Sequence, residues 1–467
     1  MKKYKTWQSA VILSIIFTTL LLFGGIMTIY YINSRNMRYE EPITDVILLI
    51  DEDISTYEQD ETEWSESDLH EPVEIDDKLY YSEYDNDYDC TYDYYDGYEI
   101  PDTIIINIAD FDEELSYALD AIARSYNSVA VSLIFYDGDS VFYAYQFGYA
   151  DVRRNQPINL DTKMRVASLS KLTVTIVAMI LVDEGKLDLY EDISTYLGYE
   201  VRNPNFPNVP ITSKMLMQHT SSIVDSDPFH SSRAGNSSSS TQHLLGLGTS
   251  YRNSEPGSRF EYSNFAMSVL AAVCEMITGK SLDSLSRELL FDSLEIDAGF
   301  LPANIQQSEN IAAIYNANHN MTRSVDSQTA IGESDDLGHD HHLAQGNLTI
   351  SALDFARILS MILNSGVYAN ERILSDEAVQ IIHEVIPVSG HFMHGLSVRY
   401  HDSAFLDSAV FWHTGSAYGT FAQFIYSRET GRAVVVVTTG ANTGRRANDM
   451  INICTALSEL VWEHDFT

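Results

Sequence analysis

Ser168 and Lys171 stand three residues apart in the run Ser168-Leu169-Ser170-Lys171, just before the apolar stretch Leu172 to Ile180. Residues three apart on a helix share a face, so the lysine amine can reach the serine hydroxyl. A serine hydroxyl becomes a good nucleophile when a base takes its proton, and a desolvated lysine can be that base. At a helix N-terminus the free N–H groups and the dipole also favour the oxyanion that attack creates. A second group, Tyr262-Ser263-Asn264, follows the turn Glu255-Pro256-Gly257-Ser258 and precedes a helical pattern from Phe265. A tyrosine at such a junction can shuttle protons, and an asparagine can bind a substrate amide. A third, His413-Thr414-Gly415-Ser416, lies between a strand ending Val410-Phe411-Trp412 and the next strand. Glycine at a strand edge lets a substrate backbone approach closely, which would place the Ser416 N–H to complete an oxyanion hole. Alone, each group is weak evidence, since S-x-x-K arises by chance about once in a chain of this length.

The elements that must position these groups are visible as periodicity. Apolar residues recur at helical spacing over Phe111 to Tyr126, Leu169 to Glu184, Asn264 to Ile277 and Ala352 to Leu363. Strand-like runs occur at Val129 to Phe135 and Val141 to Tyr145, with an Asp137-Gly138-Asp139 turn between them, and again at Phe421 to Tyr426 and Ala433 to Thr438. Strands near both ends of the globular region with helices between them predict an α/β (α+β) fold: one antiparallel sheet assembled from both ends, flanked by helices, plus an all-helical region.

The 467-residue chain carries a formal net charge of −39, which opposes nucleic-acid binding because phosphate contacts require Lys and Arg. Residues 1–9 read as a cytoplasmic N-terminus carrying Lys2, Lys3 and Lys5. Ala10 to Ile32 is almost wholly apolar, and at 1.5 Å per residue spans roughly 34 Å, enough for a single-pass transmembrane signal anchor at the cell membrane. Residues 33–104 are rich in Asp, Glu and Tyr and read as a disordered acidic spacer. Globular patterning covers 105–467, which the anchor would place outside the membrane. Cys90, Cys274 and Cys454 show no zinc-ligand spacing, and their odd number argues against a disulfide framework. Cys274, within Leu270-Ala271-Ala272-Val273, reads as a buried thiol.

Together, in this order and spacing, the three groups resemble the active-site set of the serine β-lactamase-related, penicillin-binding family, in its class C β-lactamase and D,D-carboxypeptidase branch. Gly148-Tyr149-Ala150-Asp151, Pro157-Ile158, Leu216-Met217-Gln218-His219-Thr220-Ser221 and Pro256-Gly257 fit the same pattern. The resemblance implies a Ser168 acyl-enzyme, with Lys171 and Tyr262 sharing general base and acid roles. It implies that Asn264 binds a substrate amide and that His413 and Thr414 line the strand holding a substrate carboxylate. Gly415 and Ser416 would continue that strand, with the N–H groups of Ser168 and Ser416 as oxyanion donors. No metal or organic cofactor is implied.

Three departures from the family pattern stand out. His413 occupies the usual β-lactamase lysine, which moves the expectation toward D,D-carboxypeptidases and their esterase and peptidase relatives; a neutral histidine attracts carboxylates less than lysine does. His219-Thr220-Ser221-Ser222-Ile223 lacks the usual glycine, and Leu290-Phe291-Asp292-Ser293-Leu294 replaces a usual Pro-Leu-Gly. His339-Asp340-His341-His342 reads as a polar loop rather than a metal site. The expected activity is therefore a membrane-anchored, D,D-carboxypeptidase-like hydrolase acting on a wall peptide, peptidoglycan or a related small amide or ester. A class C-like β-lactamase or esterase, and a non-catalytic sensor of penicillins or peptidoglycan fragments, stay open as alternatives.

Overall fold

The computed structural model describes residues 113–467 except 139, 233–239, 333–335, 340–341, 389–391, 465 and 467. The anchor, the spacer and Cys90 lie outside the described residues. Among those described, no single helix is long and apolar enough to cross a membrane.

A nine-stranded sheet organises the domain. Its strands are β1 (Ala130–Asp137), β2 (Ser140–Asp151), β3 (Gln156–Pro157), β4 (Ile386–Pro387), β5 (Met393–His394), β6 (Arg399–Phe405), β7 (Ser408–Ala417), β8 (Thr420–Tyr426) and β9 (Arg432–Thr439). Their order is β4-β5-β6-β7-β8-β9-β1-β2-β3, and every pairing is antiparallel. The β1–β9 pairing, with Ala130 opposite Thr439 and Asp137 opposite Arg432, joins the two ends of the domain as the sequence pattern predicts.

Alternation along β1 explains what covers each face. Val131, Leu133 and Phe135 pack with α1 (Glu113–Ser125) and α5 (Asn452–Glu463), through Leu115, Leu119, Leu457 and Val461. Ile134 and Tyr136 point the other way, into a larger core shared with α2 (Ser170–Asp183), α3 (Asn264–Thr278) and α4 (Ala352–Leu363). Because both faces are covered, the centre of β9 can be continuously apolar from Ala433 to Val437 without exposing a face. Helix α2 is buried at every residue from Ser170 to Leu181, which its all-round hydrophobicity requires. Cys274 and Cys454 are free and buried.

The helix Ala352–Leu363 has the limits read from its periodicity. The main difference from the sequence reading is β7. Rather than ending at Trp412, it continues through His413, Thr414, Gly415 and Ser416 to Ala417, paired with β8 throughout. Cross-strand pairing overrides the turn-like composition of Thr-Gly-Ser.

Buried His383 supplies a pH probe outside the candidate site. Its Nδ1 donates to the Val379 carbonyl at 2.6 Å, and its Nε2 lies 2.8 Å from the Tyr426 hydroxyl. Burial pushes its pKa down from 6.5 to about 4. The unfolded chain therefore takes up this proton first, so stability is full above pH 6.5 and falls as pH drops toward 4. At pH 5 this one group should cost about 2 kcal/mol. Urea unfolding of the wild type between pH 7 and 5 should lose at least that much stability, since buried His219, His394 and His413 add to it, and His383→Gln should reduce the loss by about 2 kcal/mol. An unchanged loss in the variant would assign the acid sensitivity to other groups.

Candidate active site

The Ser168 segment is locked before α2 begins. A short turn of 3₁₀ helix, Ala167–Leu169, carries the serine, and Ala167 holds φ +48°, a left-handed conformation that costs an alanine energy. Packing compensates: Ser170 Oγ donates to the Ala167 carbonyl at 2.6 Å and accepts from Leu348 N–H at 3.1 Å, while Val166 N–H donates to the Leu348 carbonyl. Gly346 lies against Ala167, leaving only ordinary contact distance for a Cβ.

Lys171 is completely buried, yet three acceptors surround its Nζ: Ser168 Oγ at 3.0 Å, Asn264 Oδ1 at 2.9 Å and the Gln345 carbonyl at 2.6 Å. This geometry serves two protonation states. An ammonium donates to all three oxygens, whereas a neutral amine can donate to Asn264 and Gln345 and present its lone pair to the Ser168 O–H. No side chain has to move between those states. The amine also lies 5.1 Å from the centre of the Tyr262 ring.

Tyr262 and Asn264 are placed by the N-terminus of α3. Ser263 caps the helix, its Oγ accepting from Ala266 N–H at 3.0 Å. Asp225 grips the same turn, accepting from Asn264 Nδ2 at 2.7 Å, Ser263 Oγ at 3.1 Å and Phe265 N–H at 2.8 Å. His219 holds it from the other side: its Nδ1 accepts from Ser263 N–H, its carbonyl accepts from Glu261 N–H, and its ring lies 4.5 Å from that of Tyr262. Both clamps come from the 219–225 loop. Ser222, standing where relatives are expected to carry glycine, adopts φ +66°, and Asn203 Nδ2 donates to its Oγ at 2.9 Å.

Strand β7 closes the third side. A Cβ on Gly415 would come within 2.3 Å of the Val166 carbonyl and 3.2 Å of Ser168 N, so only glycine allows the strand this close to the serine. Ser416 is exposed one residue further on. His413 is buried, and its Nδ1 donates to the Thr414 carbonyl at 2.8 Å. Burial, reinforced by Arg399, Lys171, His394 and His219, holds His413 well below the ordinary histidine range. Burial acts the same way on His219 and pushes His394 down to about 3. His413 is thus a neutral wall rather than a cation.

The cations at this end are arginines. Thr414 Oγ1 accepts from Arg445 at 2.9 Å and lies 3.4 Å from Arg399, and Asp449 bonds both guanidinium groups. Two arginines against one aspartate leave a net positive charge beside Thr414. Sequence reading missed Arg399, Arg445, Asp225 and Gln345. Arg445-Arg446 alone gave a signal, being a cationic pair in a chain with only 28 Lys and Arg. Among the described residues no cluster of His, Cys, Asp and Glu has a geometry that could hold a metal ion.

A family model described as Beta-lactamase matches residues 113–453, most of the chain and all three groups above. The chain belongs to the beta-lactamase family. Members of this beta-lactamase family are serine hydrolases, and class C and D-Ala carboxypeptidase-like proteins are among the relatives. The D-alanyl-D-alanine-carboxypeptidase/endopeptidase AmpH of Escherichia coli (strain K12) is 30% identical over 172 residues, 36% of this chain and 44% of AmpH. Protein flp of Staphylococcus aureus (strain N315) is 28% identical over 153 residues, 32% of this chain and 30% of flp. Each match spans less than half of the relative's length. Among solved structures, the octameric penicillin-binding protein homologue from Pyrococcus abyssi superposes with a TM-score of 0.61 at 19% identity, covering 76% of this chain and 78% of that one. A class C beta-lactamase gives 0.60 at 18% identity, covering 76% and 98%. EstCE1, a hydrolase with promiscuous acyltransferase activity, gives 0.60 at 19% identity, covering 74% and 98%. At these identities the structures establish the shared fold.

Proposed function

We propose that this chain is a D,D-carboxypeptidase-like serine hydrolase that cleaves a peptide, or a related small amide or ester, bearing a free carboxylate on its leaving group. The observation that carries this reading is the arginine pair at Thr414. A substrate laid along β7 with its scissile carbonyl at Ser168 would direct a terminal carboxylate toward Thr414, Arg445 and Arg399. An esterase for neutral substrates has no physical need for that charge.

In this reading neutral Lys171 takes the Ser168 proton as Oγ attacks the carbonyl carbon. The N–H groups of Ser168 and Ser416 receive the oxyanion. The proton then passes, through Lys171 and Tyr262, to the departing amine nitrogen as the C–N bond breaks. Water next attacks the acyl ester, its proton returning by the same route to Ser168 Oγ. Asn264 keeps one N–H free of Asp225 for a carbonyl on the acyl side of the substrate. The serine–lysine–asparagine geometry also weighs against a silent sensor, because binding alone needs no base beside a hydroxyl.

A β-lactamase is the second reading, favoured by the same arginine pair because β-lactams also carry a carboxylate. The apolar run Ala10 to Ile32, preceded by three lysines, supports a membrane anchor with the domain outside. One assay separates the possibilities: membrane and soluble fractions receive a D-Ala-D-Ala peptide, the same peptide with an amide cap, and a chromogenic cephalosporin. The proposal expects D-Ala release from the uncapped peptide alone, in the membrane fraction. Equal cleavage of both peptides would overturn the carboxylate requirement, faster cephalosporin turnover would favour the β-lactamase, and activity in the soluble fraction would remove the anchor.

A further inference from the structure

We infer that Asp225 is a positioning residue that fixes which end of the Asn264 amide faces Lys171, and through it where the lysine lone pair points. The inference rests on the reading of Ser168 as nucleophile and Lys171 as its base.

An asparagine amide has a donor end and an acceptor end of nearly the same shape, so its hydrogen-bond partners decide its orientation. At Asn264 the partners are opposed. On one side stands the Asp225 carboxylate, which can only accept while ionised; on the other stands the Lys171 amine. The carboxylate takes Nδ2, leaving Oδ1 for the lysine. Its second oxygen takes two further donors, Ser263 Oγ and Phe265 N–H, so three donors hold the carboxylate in place.

The orientation matters because of the count at Lys171. A neutral amine has two protons and one lone pair. With Asn264 Oδ1 and the Gln345 carbonyl both accepting, the two protons are spoken for and the lone pair is left for the Ser168 O–H. Were the amide reversed, Nδ2 would offer a proton to the amine and compete with Ser168 for that lone pair. Asp225 touches neither the serine nor the lysine, and acts only through Asn264.

The same carboxylate also caps α3, so a test must separate orientation from capping. Asp225→Asn keeps an acceptor for Ser263 and Phe265, but its NH₂ then faces the Asn264 NH₂, and the amide is driven to reverse. Asp225→Ala removes the cap and imposes no reversal, so Asn264 Oδ1 can still accept from Lys171. Capping is therefore better in Asp225→Asn than in Asp225→Ala, while the group facing Lys171 is a donor in the first and an acceptor in the second.

The measurement is the rate of Ser168 labelling by an alkyl fluorophosphonate, followed by intact mass. This probe has no amide, so it does not call on the free N–H of Asn264. Wild type must label; if it does not, the nucleophile reading itself fails and the Asp225 inference falls with it. Given wild-type labelling, Asp225→Asn is expected to slow it about tenfold with folding retained by circular dichroism, and to label more slowly than Asp225→Ala although it keeps the better cap. Labelling of Asp225→Asn at the wild-type rate would overturn the inference. Asp225→Ala labelling more slowly than Asp225→Asn would also overturn it, leaving Asp225 as a helix cap. Should Asp225→Asn fail to fold, Asp225→Gln replaces it, and the same order of rates against Asp225→Ala decides.

Discussion

Lys171→Met should reduce acylation of Ser168 by about a thousandfold or more while the domain stays folded. General-base assistance is worth about 10² to 10⁴ in rate, and the described residues offer Ser168 Oγ one amine, at 3.0 Å. Methionine is chosen because the site is fully enclosed. It fills much of the lysine's volume, whereas alanine would open a cavity beneath Asn264 and Gln345. The variant removes a buried amine together with its need for three acceptors, and leaves two carbonyl oxygens without a donor, at roughly 1–3 kcal/mol each. A loss of stability is therefore expected alongside the loss of rate, so the comparison must be made well below the unfolding midpoint. Intact-mass labelling by a fluorophosphonate reads the chemical step without presupposing a substrate. Lys171→Met labelling within tenfold of wild type would move the base to another group, and Tyr262, whose ring is 5.1 Å from the amine, would be the first to test.

What could be read from the chain and what could not divides along sequence separation. Helix Ala352–Leu363 and the strands at 130–137 and 432–439 advertise themselves through local periodicity, because each must bury one face or both. Ser168, Lys171, Tyr262 and Asn264 advertise themselves through local spacing at helix starts. Their partners do not. Asp225 reaches Asn264 across 39 residues, Gln345 reaches Lys171 across 174, and Arg445 reaches Thr414 across 31. None of these separations leaves a periodic trace, since each exists only after the sheet and helices have packed. The extension of β7 through Gly415 was hidden for a related reason: Thr-Gly-Ser has turn-like chemistry, and only pairing with β8 and contact with Val166 make it a strand. The neutrality of His413 likewise follows from burial beside Arg399 and Lys171, which no reading of its neighbours in sequence contains.

Arg445→Met should lower kcat/KM for a substrate with a free terminal carboxylate by about 10- to 150-fold, while fluorophosphonate labelling of Ser168 stays within threefold. The range is that of one hydrogen bond to a charged group, about 1.5–3 kcal/mol. Arg445 is a better probe than Arg399. Arg399 is buried, with its guanidinium 4.9 Å from the centre of the Phe392 ring, so truncating it would open a cavity and confuse binding with folding. Arg445 is 38% exposed, and without it Asp449 keeps its bond to Arg399. The variant thus subtracts one positive charge and one donor to Thr414 Oγ1, leaving the ion pair at Arg399 intact. Because His413 is neutral, no cation on β7 itself can substitute for the arginine. The defect should appear mainly in KM if the carboxylate is held equally before and during acylation, and in kcat if Thr414 and Arg445 seat the leaving group only as the bond breaks. An amide-capped substrate provides the control. If Arg445→Met lowers capped and uncapped substrates by the same factor, the arginine pair supports the fold of β7 and recognises no carboxylate, and the carboxypeptidase reading loses the observation that carries it.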